Sequence, residues 1–251
     1  MTERQLLQTE LDGLLQPERF KDYGPNGLQV EGSATVRKIA SGVTASLAFI
    51  EAAIAAQADT LLVHHGLFWR GQSGCVTGWM RQRLALLLKH NINLFAYHLP
   101  LDAHPELGNN ARLGVELGWL TDGRFGDNQL GFMGYPLNGA YADVQTLVLH
   151  IESKLQRSVV CVPGHTRAIR RIAWCSGGAQ NYFEAAIAAG VDAFITGEIS
   201  EPQAHYAREC GVAYLACGHH ATERYGAPAV AGHVAKRLGL EHVFLDIDNP
   251  A

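Results

Sequence analysis

The chain has little charge. Asp, Glu, Lys and Arg make up only 18% of its 251 residues against 47% hydrophobic, a globular composition that excludes a disordered chain. No run of Lys or Arg occurs and the formal net charge is −4, which argues against a nucleic acid or an anionic membrane surface as the main partner. No window approaches the roughly 18 apolar residues that a spanning helix needs. The opening stretch MTERQLLQTELDGLL lacks the apolar run of a signal peptide. Cysteine is sparse and unpatterned: Cys75, Cys161, Cys175, Cys210 and Cys217 form no CxxC pair. That excludes a zinc ribbon or an iron–sulfur site, and the expected location is the reducing cytoplasm. A Walker loop, a GxGxxG segment and a Ser/His/Asp order are missing as well.

What the chain does have is histidine, twelve in all. Four of them form two adjacent pairs, in LLVHHG (61–66) and CGHHATE (217–223).

An internal repeat organises the chain. EAAIAA occurs at 51–56 and again at 184–189. The surroundings keep the same offset, with Ile39-Ala40 matching Ile172-Ala173 and Asp59 matching Asp192. Each copy reads as a strand (38–41; 171–175), a helix and a second strand, TLLV (60–63) or AFIT (193–196). Val43, Leu47, Ile50 and Ile54 have the spacing of one helix face. Each copy then adds a helix and a further buried strand, leading to His98 and to His219. Strands alternating with helices imply parallel sheets under helical cover. The predicted fold class is therefore α/β, with duplicated strand–helix–strand units forming two similar domains. TDGRFGDNQLG (121–131) has the composition of a connection, which places the domains at 1–125 and 126–251, with terminal segments free to exchange between them. Beyond it, one helix (142–155) and one strand (158–162) are expected.

Functional groups of open α/β sheets gather beyond the carboxyl ends of the strands. Those positions hold His64-His65, His98 with Asp102, and His219-His220 with Glu223, all imidazole or carboxylate, the donors of Zn²⁺, Mn²⁺ or Fe. Taken alone, His64-His65 reads equally as a core histidine bonded to a carbonyl beside a solvated one. Pro100 makes HLPLD (98–102) a loop. A helix starting after Gly218 would put His219 and Glu223 on one face at i, i+4, and His220 could also meet Glu223. Three such clusters at strand ends of a duplicated unit point jointly to a metal site. Ligands drawn from His64, His65, Asp102, His219 and Glu223 exceed the needs of one open catalytic ion and do not saturate two. Two divalent ions would outweigh the charges of Asp102 and Glu223 and attract an anionic substrate. Glu198 aligns with His65 in the repeat, which makes it either a proton-transfer candidate beside His98 or a solvated surface acid. SGVTAS (41–46) fits a Ser or Thr cap or an anion loop, and YGPNGLQVEG (23–32) fits a hairpin. Phe68 and Trp69 suit either core or a base pocket.

YGPNGLQVEG, GVTAS, VHHGLFW, YHLPLDAHPELGNNA, DAFITGE and GHHATE together resemble the YbgI-like (Nif-three-like) family, whose members carry the label GTP cyclohydrolase 1 type 2 homologue. The resemblance spans nearly the whole chain and is weakest over residues 126–170. It implies a toroidal homohexamer of two-domain subunits, each with a dinuclear centre of Zn, Fe, Mn or Ni. His64, His65, Asp102, His219 and Glu223 would be the ligands, with Glu223 contacting both ions. His98 would be a neighbour of the site. The expected function is a dinuclear metal-dependent hydrolase acting on a nucleotide-like or other anionic small molecule. The alternative is a non-catalytic oligomeric metal-binding scaffold.

Overall fold

The computed structural model describes residues 1–251. Two compact units divide the chain, residues 1–108 with 226–248, and residues 109–225 with 249–251. The first break thus lies upstream of the predicted 125/126 junction. The reason is that Trp119–Phe125 pairs antiparallel with Gly131–Pro136, so the Gly/Asp-rich stretch turns a corner inside the second sheet. The chain returns late to its first unit, where Glu241–Phe244 lies parallel to Lys38–Thr44.

In the first unit the five-stranded order is Glu241–Phe244, Lys38–Thr44, Thr60–His65, Asn93–Ala96 and Gly27–Val30. The first four run parallel. Gly27–Val30 closes the edge antiparallel to Asn93–Ala96, so YGPNGLQVEG forms a long-range edge strand and not a local hairpin. Alternation sorts the central strand between two cores. Leu61 and Val63 pack with Phe49, Ile50 and Leu87, while Leu62 packs with Leu7, Leu11, Val230 and Val234. Helices on both faces bury every residue of Thr60–His64, which explains its unbroken apolar run. The strand opening the repeat continues to Thr44, so Val43 belongs to it, and the helix begins at Leu47. Ser46 caps that helix by accepting from Phe49 N–H at 3.2 Å.

The second unit has a six-stranded sheet, ordered Trp119–Phe125, Gly131–Pro136, Ile172–Trp174, Ala193–Thr196, Ala213–Ala216 and Val160–Val162. Its three central pairings after the first hairpin include two parallel ones, flanked by antiparallel edges. One face carries Trp174, Ile195 and Leu215 against Leu147, Ile151 and Leu155. The other stacks Phe194 on Phe183, ring centroids 5.7 Å apart. The helix predicted over 142–155 runs Val144–Leu155 behind the cap Asp143, and the following strand is Val160–Val162. All five cysteines are free thiols, and no helix is long and apolar enough to cross a membrane.

The repeat survives as matching hydrogen bonds. Ile39 pairs with Thr60 and Ile172 with Ala193, the same register at the same offset. The Asp59 carboxylate accepts from the N–H groups of Arg37 and Lys38 at 3.0 and 3.4 Å. Asp192 accepts from Arg170 and Arg171, both at 2.9 Å. Each aspartate thus ties the start of one strand to the start of its neighbour. Asp59→Ala and Asp192→Ala should each lower the unfolding free energy by about 1–3 kcal/mol in urea titrations. The exposed acid Glu209 changed to Ala should stay within about 0.5 kcal/mol. Equal effects at all three positions would remove the aspartates' clamping role.

Candidate functional site

In the first unit the parallel strands deliver His64, His65 and His98 to one edge, and one ring nitrogen from each lies within 4.8 Å of the others. The His64 and His65 rings are 4.5 Å apart between centroids. Each ring is anchored at Nδ1. His64 donates to the Tyr97 carbonyl at 3.2 Å, and His65 is bonded to the Thr44 hydroxyl at 3.1 Å. His98 donates to Asp22 Oδ1 at 2.7 Å. His64 Nε2 then points towards Asp102 Oδ2, 3.6 Å away. Asp102 reaches this place on a short helix, Leu99–Ala103, where a loop was predicted. Pro100 sits in its first turn, where an N–H has no helical partner to lose and the ring's fixed φ suits the helix.

Burial alone would raise the Asp22 carboxyl. The hydrogen bond and charge of His98, with donors from Asn26 and Leu99, outweigh it and hold the group down at about 2.

In the second unit a helix does begin after Gly218 and runs His219–Glu223. His219 and Glu223 share a face as predicted, with Nε2 to Oε2 at 3.1 Å, and Nδ1 donates to Glu198 Oε1 at 2.7 Å. His220, its neighbour, is buried, and its backbone N–H donates to the Ala251 carbonyl at 3.2 Å. Burial by itself would lower the His219 imidazolium, but Glu223 and then Glu198 overcome it and push the group up to about 9.

A glycine shapes this cluster. Gly177, at φ +67°, would carry a Cβ only 1.9 Å from Glu223 Oε1. Its N–H donates to Thr222 Oγ1 at 2.9 Å, and its carbonyl accepts from the Thr196 hydroxyl at 3.0 Å. Gly177 stands where the repeat places Thr44 in the first unit, so one copy supports an imidazole there and the other makes room for a carboxylate.

Imidazole nitrogens with Nδ1 engaged, accompanied by buried carboxylates, form a donor set suited to zinc, iron, manganese or nickel. The structure brings His64, His65, His98 and Asp102 together in one unit, and His219, Glu223 and Glu198 in the other. Asp22, Asn26 and Gly177 were missed from the sequence. Asp22 and Asn26 flank and occupy the turn motif, which was the available signal, and the repeat offset pairs Gly177 with Thr44.

A duplicated α/β fold whose strand ends carry histidine and carboxylate defines a class of candidate metal-binding proteins. The chain belongs to the Duf34/NIF3 (NGG1p interacting factor 3) family, which matches residues 2–250. A Neisseria meningitidis serogroup B protein named GTP cyclohydrolase 1 type 2 homolog is 53% identical over 241 residues, 94% of each chain. A Pseudomonas aeruginosa protein of the same name is 49% identical over 251 residues, covering 98% of this chain and 97% of its own. A solved structure described as protein ybgI, of unknown function, superposes with a TM-score of 0.95 at 43% identity, covering 100% of both chains.

Two outcomes are expected. Gly177→Ala should weaken Zn²⁺ binding at least tenfold in chelator competition, because its Cβ would displace Glu223. Gly178→Ala, whose Cβ meets nothing nearer than 3.4 Å, should bind like the parent chain; equal binding by both variants would remove Gly177's role. The raised His219 group sets a pH window in metal-free protein. Its stabilising contribution is complete below the unfolded value of 6.5 and is lost as pH rises through about 9. The stability difference between the parent chain and His219→Gln, followed by thermal melts with chelator, should therefore shrink across that range. A constant difference would refute the pairing.

Proposed function

We propose that this protein is a dinuclear metal-dependent hydrolase acting on a nucleotide-like or other anionic small molecule. By the resemblance to YbgI-like proteins, His64, His65, Asp102, His219 and Glu223 would hold the two divalent ions, Zn, Fe, Mn or Ni. The observation that carries the reading is that each of these three histidines has Nδ1 occupied by a carbonyl, a hydroxyl or a carboxylate. That arrangement orients an imidazole for coordination through Nε2. Such ions, when bound, polarise a carbonyl or phosphoryl oxygen and make water a nucleophile at neutral pH.

The chain's own groups supply the proton handling. His98, fixed by Asp22, would take a proton at Nε2. Glu198 sits behind His219 and is half-exposed, with Gln180 Nε2 donating to its Oε2 at 3.3 Å. It can therefore exchange protons with solvent while holding the imidazole. Two divalent cations set against Asp102 and Glu223 leave net positive charge, which favours an anionic substrate. The relatives' name, GTP cyclohydrolase 1 type 2 homolog, supports nucleotides as the first class to test. By its resemblance to YbgI-like proteins, the working assembly is a homohexamer. The free thiols suit a reducing cytoplasm.

One observation favours a second reading. The family is described as an interacting factor, which fits an oligomeric metal-binding scaffold without catalysis. Turnover of GTP, other nucleotides and phosphate esters by metal-loaded protein separates the two. The hydrolase reading expects at least one substrate to be hydrolysed, with His219→Ala reducing kcat by roughly 10²-fold or more. A panel in which the parent chain does no better than His219→Ala favours the scaffold.

A further inference from the structure

The stretch Asp22–Gly27 reads in the sequence as a turn, yet its side chains do far more than a surface turn requires. The Asp22 side chain is only 2% exposed. Its Oδ1 accepts from His98 Nδ1–H and from Tyr23 N–H, both at 2.7 Å. Its Oδ2 accepts from Leu99 N–H and from Asn26 Nδ2, both at 2.9 Å. Asn26 Oδ1 in turn accepts from the His98 backbone N–H at 2.7 Å. Two side chains of one turn thus grip the His98 ring and two successive backbone amides. The turn is itself latched, since Arg70 donates from Nη2 to the Asp22 carbonyl at 2.6 Å and from its backbone N–H to the Tyr23 carbonyl at 2.7 Å.

An ionised carboxylate only accepts hydrogen bonds. With Asp22 at 2.7 Å, the proton of a neutral His98 ring must sit on Nδ1, leaving the Nε2 lone pair on the opposite side. Across the ring lie His64 and His65, with centroids 4.9 and 5.8 Å from that of His98, and Trp69 stands edge-on at 5.1 Å. The duplication sharpens the point. His219, at the end of the corresponding strand, takes its carboxylate from Glu198 inside the repeat. The partner of His98 at Nδ1 comes instead from a segment preceding the repeat, and it is more deeply buried than Glu198, the partner of His219 at Nδ1.

We propose that Asp22, held square by Asn26, is a positioning residue that fixes His98 as its Nδ1–H tautomer and turns the Nε2 lone pair towards His64 and His65. A neutral His98 therefore offers a substrate a proton acceptor at Nε2. The reaction step rests on the hydrolase reading; the tautomer does not.

The test is a long-range ¹H–¹⁵N correlation spectrum of histidine-labelled, Zn²⁺-loaded protein, with the His98 signals identified by their loss in His98→Gln. The parent chain should show Nδ1 protonated and Nε2 bare. Asp22→Asn, whose amide can donate to Nδ1, should reverse the pattern while zinc stoichiometry stays unchanged. On any substrate the parent hydrolyses, kcat should fall roughly 10²-fold with little change in KM. A parent spectrum with the proton on Nε2, or an unreversed one in Asp22→Asn, overturns the proposal. Should Asp22→Asn fail to fold, the parent spectrum alone decides. A protein that hydrolyses nothing yet shows the expected tautomers would sink the hydrolase reading and leave this one standing.

Discussion

A neutral imidazole offers one lone pair, and which nitrogen offers it is decided by whatever holds the other. At each of His64, His65, His98 and His219 the structure meets that constraint with a bond at Nδ1. The four partners are a backbone carbonyl, a hydroxyl and two carboxylates, and they arrive from different elements. Much of the fold can be understood as the means of delivering them. The Tyr97 carbonyl follows the strand Asn93–Ala96, Thr44 closes Lys38–Thr44, and Glu198 follows Ala193–Thr196. Parallel strands bring their carboxyl ends to one edge, so a duplicated parallel unit places such partners beside the histidines in both copies.

The duplication also shows how two copies of one plan diverge. Asp59 and Asp192 still make equivalent bonds to backbone at the strand starts. At the strand ends identity is gone: in the repeat, His65 aligns with Glu198 and Thr44 with Gly177. The strand starts keep their backbone ties in both copies, while the strand ends hold the histidines and carboxylates of the candidate site.

Much of this was legible in the sequence. The EAAIAA repeat, the apolar runs ending in histidine and the i, i+4 spacing of His219 and Glu223 are local patterns, and local patterns are what periodicity reports. Asp22 was not legible as a partner of His98, because 76 residues separate them and no spacing rule links a turn to a distant strand end. Gly177 looked like any loop glycine until the position of Glu223 was known. Pro100 was read as a helix breaker, although a first-turn proline starts a helix as readily as it ends one. The domain boundary was misplaced for a related reason. Gly and Asp mark a change of direction, and composition cannot say whether the chain is leaving a domain or turning within it.

The strand Glu241–Phe244 beside Lys38–Thr44 has a consequence for biosynthesis. A ribosome releases residues 109–225 before the helix Gly226–Leu238 and this edge strand exist. The second unit has its whole sheet in hand at that moment, while the first has the flank of Lys38–Thr44 and the core face of Leu62 uncovered. The sheet begun first is therefore the one completed last. Until that strand is added, the flank of Lys38–Thr44 is an unpaired sheet edge of the kind that pairs with strands of other chains.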